Sequence, residues 1–283
     1  MPTLPDRVID AHHHLWNPAL RDYPWMHGLP ELNQPFLGTE LQAAVRGTPV
    51  KTTIAVQATS TDEETEWLLQ AAKGSPFIGG VVGWVDLAHD GVADRLQMLM
   101  SSGGLRGIRH QVEDEADPDW LVSPRVLRGL RAVADAGLVY ELLIRRPSGP
   151  AAIAVARQLP ELTFVVDHLA KPDIARGEWG RWHDQLAALA ALPNVSCKLS
   201  GLLTEASREG WSSQTPERYL LKAVDLFGAE RCLFGSDWPV SLLRANYADV
   251  LAFADDATAG LSDIERGAIF CGTAATLYRV PDA

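Results

Sequence analysis

The sequence predicts an α/β protein built as a single (β/α)8 barrel of the TIM type, distorted and with a long loop after its first strand. Three observations predict it. Eight short β-branched runs alternate with stretches of helical pattern. Most of the runs are apolar almost without interruption, as strands covered on both faces are. No glycine-rich phosphate fingerprint follows the first run, where an open doubly wound sheet would carry one. Barrels of this kind take about 250 residues. The 283 residues here suffice for one, and no repeat, low-complexity tract or linker divides them, so 1–283 reads as one domain.

In chain order, residues 7–15 form the first strand. The loop 17–39 sets Tyr23, Trp25 and Met26 among Pro18, Pro24, Pro30 and Pro35, and reads as a lid, a peripheral flap or a subunit contact. Strand 52–57 leads to helix 62–73, where Asp62, Glu63 and Glu64 suit the positive helix start and Lys73 precedes Gly74. Strand 78–86 is followed by helix 92–100, with Val92, Leu96, Leu99 and Met100 on one face. After strand 105–110 comes helix 124–136, which Ser123 caps and Gly137 ends. Strand 138–144, helix 151–159, strand 162–168, the polar loop 171–177 and helix 179–192 follow. Strand 195–200, helix 216–227, strand 231–237 and helices 242–253 and 262–270 complete the chain.

A net charge of −11 repels phosphate backbones and anionic lipid, so nucleic acid and membranes are excluded as expected partners and a small-molecule substrate is left. Apolar residues at 47% and charged residues at 22% describe a chain that can bury a large core. The three cysteines, without CxxC spacing, fit reduced thiols in the cytoplasm. Asp6, Arg7 and Asp10 interrupt any signal-like apolar stretch, and no run reaches the length of a membrane span.

Chemistry concentrates at strand ends, which in a barrel share one face. In Asp10-Ala11-His12-His13-His14, alternation puts His12 and His14 on one side, with Asp10 deeper on that side and His13 opposite. Two imidazoles so placed suit Zn or a similar divalent ion, or are hydrogen-bonded core residues. The sixth strand ends in Asp167-His168 and the eighth in Ser236-Asp237-Trp238-Pro239. Asp237 reads as a metal ligand, as the base that takes a proton from water, or as a turn residue ahead of Pro239. Around these, Arg109, His110, Gln111, Arg145, Arg146, Lys171 and Ser200 are candidate partners for substrate hydroxyls. Trp16, Trp25, Trp84 and Trp238 stack on a ring or pack the loops. Lys198, inside a strand, reads as functional or ion-paired, since a lone buried ammonium is costly.

Four stretches resemble the amidohydrolase-related (amidohydrolase 2) family of the amidohydrolase superfamily, and within it the sugar-acid lactonases of L-fuconolactonase and L-rhamnonolactonase type. They are Ile9-Asp10-Ala11-His12-His13-His14-Leu15-Trp16, Gly107-Ile108-Arg109-His110, Asp167-His168-Leu169-Ala170-Lys171-Pro172 and Phe234-Gly235-Ser236-Asp237-Trp238-Pro239-Val240. The resemblance covers residues 8 to 278. It implies a distorted barrel and opening of a lactone ring by water. Asp237 and His168 are then catalytic, and His12, His14, His168 and Asp237 are ligands of one divalent metal, Zn, although some similar lactonases act without metal. Arg109, His110, Lys171, Trp25, Lys198 and Trp238 are expected at the substrate. Two-metal relatives carry a bridging Lys or Glu on a middle strand; here that strand offers Glu141 and no lysine. Competing expectations are a metal-dependent decarboxylase, a dicarboxylate lactonase of aromatic breakdown (which needs several pocket arginines) and a silent sugar-acid-binding barrel.

Overall fold

The computed structural model describes residues 4–206 and 214–280. Eight parallel strands form one sheet in sequence order: β1 Val8–His13, β2 Val50–Val56, β3 Ile78–Gly83, β4 Leu105–His110, β5 Val139–Leu142, β6 Phe164–Val166, β7 Val195–Leu199 and β8 Cys232–Phe234. A bridge from His13 to Trp238 brings β1 beside the end of β8 and nearly closes the barrel. The barrel fold is as expected from the alternation of runs.

The helices are α1 Gly38–Ala44, α2 Asp62–Lys73, α3 Val92–Ser101, α4 Pro124–Asp135, α5 Gly149–Gln158, α6 Gly180–Ala190, α7 Leu202–Glu205, α8 Gln214–Phe227, α9 Tyr247–Ala257, α10 Asp263–Gly267 and α11 Thr273–Tyr278. None among the described residues is long and apolar enough to cross a membrane. Ser123 precedes α4 but its side chain makes no capping bond; Pro124, with φ preset for a first turn, starts that helix instead. The C-terminal helix runs further than residue 270, because the π-helical turn Ala268–Gly272 joins α10 to α11 without a break.

Two apolar layers hold the barrel. Outward-facing strand residues such as Val81, Ile108, Leu142, Val166 and Phe234 pack under the helices. Inward-facing Ile9, Ala11, Ile54, Val56, Val82, Val139, Val165 and Leu233 meet Ala274, Tyr278 and Val280 of the C-terminal segment. That plug leaves the strands' C-terminal ends as the open face.

Candidate active site

Alternation along β1 breaks where the chemistry begins. Asp10 pairs with Thr53 and His13 with Ala55, so three steps on β1 face two on β2. This irregularity lets Ala11 and His12, neighbours in sequence, both face the interior. Asp10 is therefore not beneath the two histidines, as strict alternation would have it. Its carboxylate faces outward, accepting from the Ser236 amide (2.8 Å), the Ser236 hydroxyl (2.6 Å) and Tyr247 Oη on α9 (2.9 Å), which ties β1 to β8.

On β6, Val165 and Asp167 follow the inward parity, so His168 would point away on a regular strand. Instead His168, Leu169, Ala170 and Lys171 all take positive φ (50, 54, 58 and 48°). That left-handed turn swings His168 over the barrel, and each non-glycine residue in it costs about 1–2 kcal/mol. The Lys171 amide to His168 carbonyl bond (2.8 Å) and the Trp182 indole to Leu169 carbonyl bond (2.8 Å) hold it. Asp237 on β8 also has positive φ, 54°. Strain gathered at the reacting groups is a mark of functional sites.

These turns bring His12, His14, His168 and Asp237 together. His12 Nε2 and His14 Nε2 lie 3.2 Å apart. Asp237 Oδ1 is 3.5 Å from His14 Nε2, 3.7 Å from His12 Nε2 and 4.0 Å from His168 Nε2. Those gaps are long for direct hydrogen bonds. His14 Nδ1 must donate to the Val56 carbonyl (2.8 Å), which leaves the Nε2 lone pair facing the centre. Burial pushes His14 down to about 3 and His168 to about 4, lowers His12 well below its usual range, and raises the Asp237 carboxyl. The site is thus three neutral imidazoles around one carboxylate.

Ligand atoms of His12, His168 and Asp237 all lie within 4.8 Å of one another. Neutral nitrogens with one carboxylate suit a borderline divalent ion, and the 3.2 Å between the His12 and His14 nitrogens matches the roughly 3.3 Å between tetrahedral ligands bonded at about 2.0–2.1 Å. The residues fit one metal ion. A second set, His12, Glu141 and Asp167, already surrounds a cation. Lys198 Nζ stands 2.5 Å from Glu141 Oε2, 3.2 Å from Asp167 Oδ1 and 3.1 Å from His12 Nδ1. Its ammonium fills the place where another ion would sit. Beneath it Tyr278 Oη donates to Glu141 (2.6 Å), and beside it Arg109 reaches Asp167 (3.0 Å) and His12 Nε2 (3.3 Å).

Above the four groups opens a cavity of about 230 Å3. Of the residues expected at the substrate, Arg109, Lys171 and Trp25 line it. Lys198 does not, being fully buried below His12. His110 lies outside as well: next to inward Arg109, it turns outward, stacks on Trp120 at 4.1 Å and contacts Glu115 at 2.7 Å. Trp238, at the β1–β8 seam, packs edge-on against Phe36 and is 3% exposed. Trp16 is buried, and Trp84 donates to His110. Within the loop 17–39, Trp25 is pinned by its indole bond to the Ala58 carbonyl (2.7 Å) and forms one wall, so that loop supplies part of the cavity. Glu113, Asp114 and Glu205, which sequence patterning leaves among the surface acids, line it too.

Two expectations follow. An alanine Cβ at Gly201, whose φ is +66°, would lie 2.5 Å from His168 Nδ1. Gly201→Ala should therefore displace that ring and lower turnover by about 100-fold, the cost of roughly an ångström of misplacement, with circular dichroism unchanged. Acid should also unfold the metal-free protein. His12, His13, His14 and His168 are held neutral by burial, His13 down to about 4, whereas the unfolded chain protonates them below the usual 6.5. Their contribution is complete above pH 6.5 and is lost as pH falls. Glu64 and Glu141, both raised to about 7 by burial, act oppositely between 7 and the usual 4.5. The urea midpoint should thus fall gently from pH 6.5 to 4.5 and more steeply below; a midpoint constant down to pH 4 would refute this.

The Amidohydrolase family model matches residues 9–280. The chain is 37% identical to an L-fucono-1,5-lactonase of Burkholderia ambifaria, covering 96% of this chain and 95% of that one. A second L-fucono-1,5-lactonase, from Burkholderia multivorans, is also 37% identical, over 97% and 96%. A crystal structure of an amidohydrolase from Burkholderia multivorans with bound zinc superposes with a TM-score of 0.92 at 37% identity, over 97% and 99%.

Proposed function

Since the chain belongs to the amidohydrolase family, we propose that it is a hydrolase that opens the lactone ring of a sugar acid, giving the aldonate. The observation that carries this is the meeting of His14, His168 and Asp237 on the floor of a cavity sized for one small ring, with His12 buried against them. The likeness to two L-fucono-1,5-lactonases over nearly the whole length supports the substrate class.

Ring opening needs a water made nucleophilic, a stabilised oxyanion and a proton for the leaving ring oxygen. Asp237, its carboxyl raised by burial, accepts the proton as water bonds to the carbonyl carbon. Arg109, whose guanidinium borders the cavity, presents donors to the oxyanion, and His168 adds one from Nε2 when its Nδ1 accepts from the Ser200 hydroxyl. When the tetrahedral adduct collapses, the bond from carbonyl carbon to ring oxygen breaks and Asp237 returns the proton to that oxygen. Trp25, Leu29, Leu143, Val240 and Leu243 offer the apolar face of a sugar ring a dry wall. His12, His14, His168 and Asp237 would hold one divalent ion, zinc by donor type; when bound it supplies a Lewis acid for the carbonyl. We place the enzyme in the cytoplasm, where its three cysteines stay reduced.

Three competing readings lose support. Dicarboxylate lactones and carboxylated aromatic rings call for several cations, and Arg109 and Lys171 are the only ones in the described lining, both already ion-paired. A silent barrel would gain nothing from the strain at His168 and Asp237.

A panel of aldonolactones followed with a pH indicator tests the reading. Acid release above the buffer rate is expected; none with any lactone would refute it. Elemental analysis, repeated with the assay after chelation, tests the ion: about one zinc per chain and lost activity are expected. Full activity in metal-free protein would remove the ion and leave Asp237 as the catalyst.

A further inference from the structure

The cavity mouth carries an ionic arrangement that ring opening as described does not use. Four successive strand-to-helix connections contribute to it. Glu113 follows β4, Arg145 follows β5, Lys171 follows β6 and Glu205 ends α7 after β7. Lys171 Nζ lies 2.6 Å from Glu113 Oε1, and Arg145 Nε lies 2.9 Å from Glu113 Oε2. The same guanidinium grips both oxygens of Glu205, each at 3.3 Å.

The two signs are not placed alike. The carboxylates are inside: the side chains of Glu113 and Glu205 are 13% and 16% exposed and line the cavity. Arg145, 45% exposed and absent from the lining, props them from outside. The lining cations are both engaged, Lys171 with Glu113 and Arg109 with the buried Asp167. Asp114 and Asp237 face the cavity with no Lys or Arg in ion-pair contact among the described residues, so acidic side chains outnumber basic ones in the described lining. Burial raises the Asp114 carboxyl and the Glu113 carboxylate adds to the rise, while Lys171 and Arg145 oppose it.

We propose that Glu113 and Glu205, braced by Arg145, fit this cavity to an uncharged polyhydroxy lactone and expel the product once it becomes an anion. The proposal rests on the lactonase reading and adds to it. A neutral sugar lactone brings hydroxyl donors, and ionised carboxylates accept from them with short, charge-assisted bonds. Hydrolysis then converts one neutral ring and one water into a carboxylate and a released proton. The new carboxylate finds no unengaged Lys or Arg in the described lining. Glu113 and Glu205 at the mouth oppose its retention, a divalent ion on the floor notwithstanding, in a partly dry space where repulsion is stronger than in bulk water. The same field turns away lactones that carry a carboxylate group.

The test measures, with a neutral aldonolactone as substrate, the inhibition constant of its aldonate relative to KM in the wild type, Glu113→Gln and Arg145→Met. Glu113→Gln removes a cavity charge and frees Lys171. Aldonate inhibition should strengthen by about tenfold, and carboxylated lactones should gain activity relative to neutral ones. Arg145→Met removes the outer cation, and aldonate inhibition should weaken. In the wild type, added salt should strengthen it, because screening shortens the reach of the repulsion. Opposite shifts in the two variants support the proposal; loss of packing alone would move both the same way. Turnover of neutral lactones with unchanged or parallel shifts overturns this inference alone. No turnover by the wild type overturns the lactonase reading and this one with it.

Discussion

Asp237→Asn is expected to lower kcat/KM for aldonolactones by about 10^3-fold or more while the melting temperature stays close to that of the wild type. Positioned proton transfer contributes about 10^2 to 10^4, and here one carboxylate both takes the proton from water and returns it to the ring oxygen. Asparagine is the right replacement on two counts. It keeps the side-chain shape, and it tolerates positive φ better than most non-glycine residues, so the 54° backbone at this position persists. The Ser241 amide bond to the Asp237 carbonyl (2.9 Å) and the Asp237 amide bond to the His12 carbonyl (2.8 Å) use main-chain atoms and survive the change. Turnover within tenfold of the wild type would remove Asp237 as the base.

The second large effect belongs to the buried ions. Lys198→Met should destabilise the fold by about 3–5 kcal/mol, the usual cost of removing one partner from a buried pair. The ammonium is the shared counter-charge of Glu141 and Asp167, and all three side chains are 0% exposed. Its loss leaves Asp167 with Arg109 as its one charged partner beside neutral His12, and Glu141 with the Tyr278 hydroxyl. Glu141, already raised to about 7, then takes up a proton, which should draw the cost toward the lower end below neutral pH. The double variant Lys198→Met with Glu141→Gln removes the stranded charge and should regain much of the loss in urea unfolding. An additive double variant would show that the two groups are not coupled.

Much of the architecture is legible in the sequence, because buried parallel strands print themselves as apolar runs and the spacing of those runs fixes the barrel. His12, His14, His168 and Asp237 are visible as strand-end residues of reactive type. What alternation cannot show is where it fails. The irregularity of β1 turns Asp10 outward, and the left-handed turn at 168–171 turns His168 inward; neither is marked by a glycine or a proline within it. His110 and Trp238 carry the right chemistry, but one follows the outward parity of β4 and the other fills the seam between β1 and β8. Glu113 and Glu205 sit in polar connections where a carboxylate looks solvent-facing; only the folded loops show Arg145 behind them and the cavity in front. Tyr278 stands among the last residues described, and its bond to Glu141 exists only because the C-terminal segment plugs the barrel.

The central claim is that water, activated beside Asp237, attacks the carbonyl carbon of a neutral sugar lactone. Hydrolysis in water enriched in 18O, followed by mass spectrometry of the aldonate, addresses it most directly. One heavy oxygen in the carboxylate per turnover, formed faster than in buffer, is the result predicted. Label in the hydroxyl derived from the ring oxygen, or no formation above the buffer rate, would contradict it.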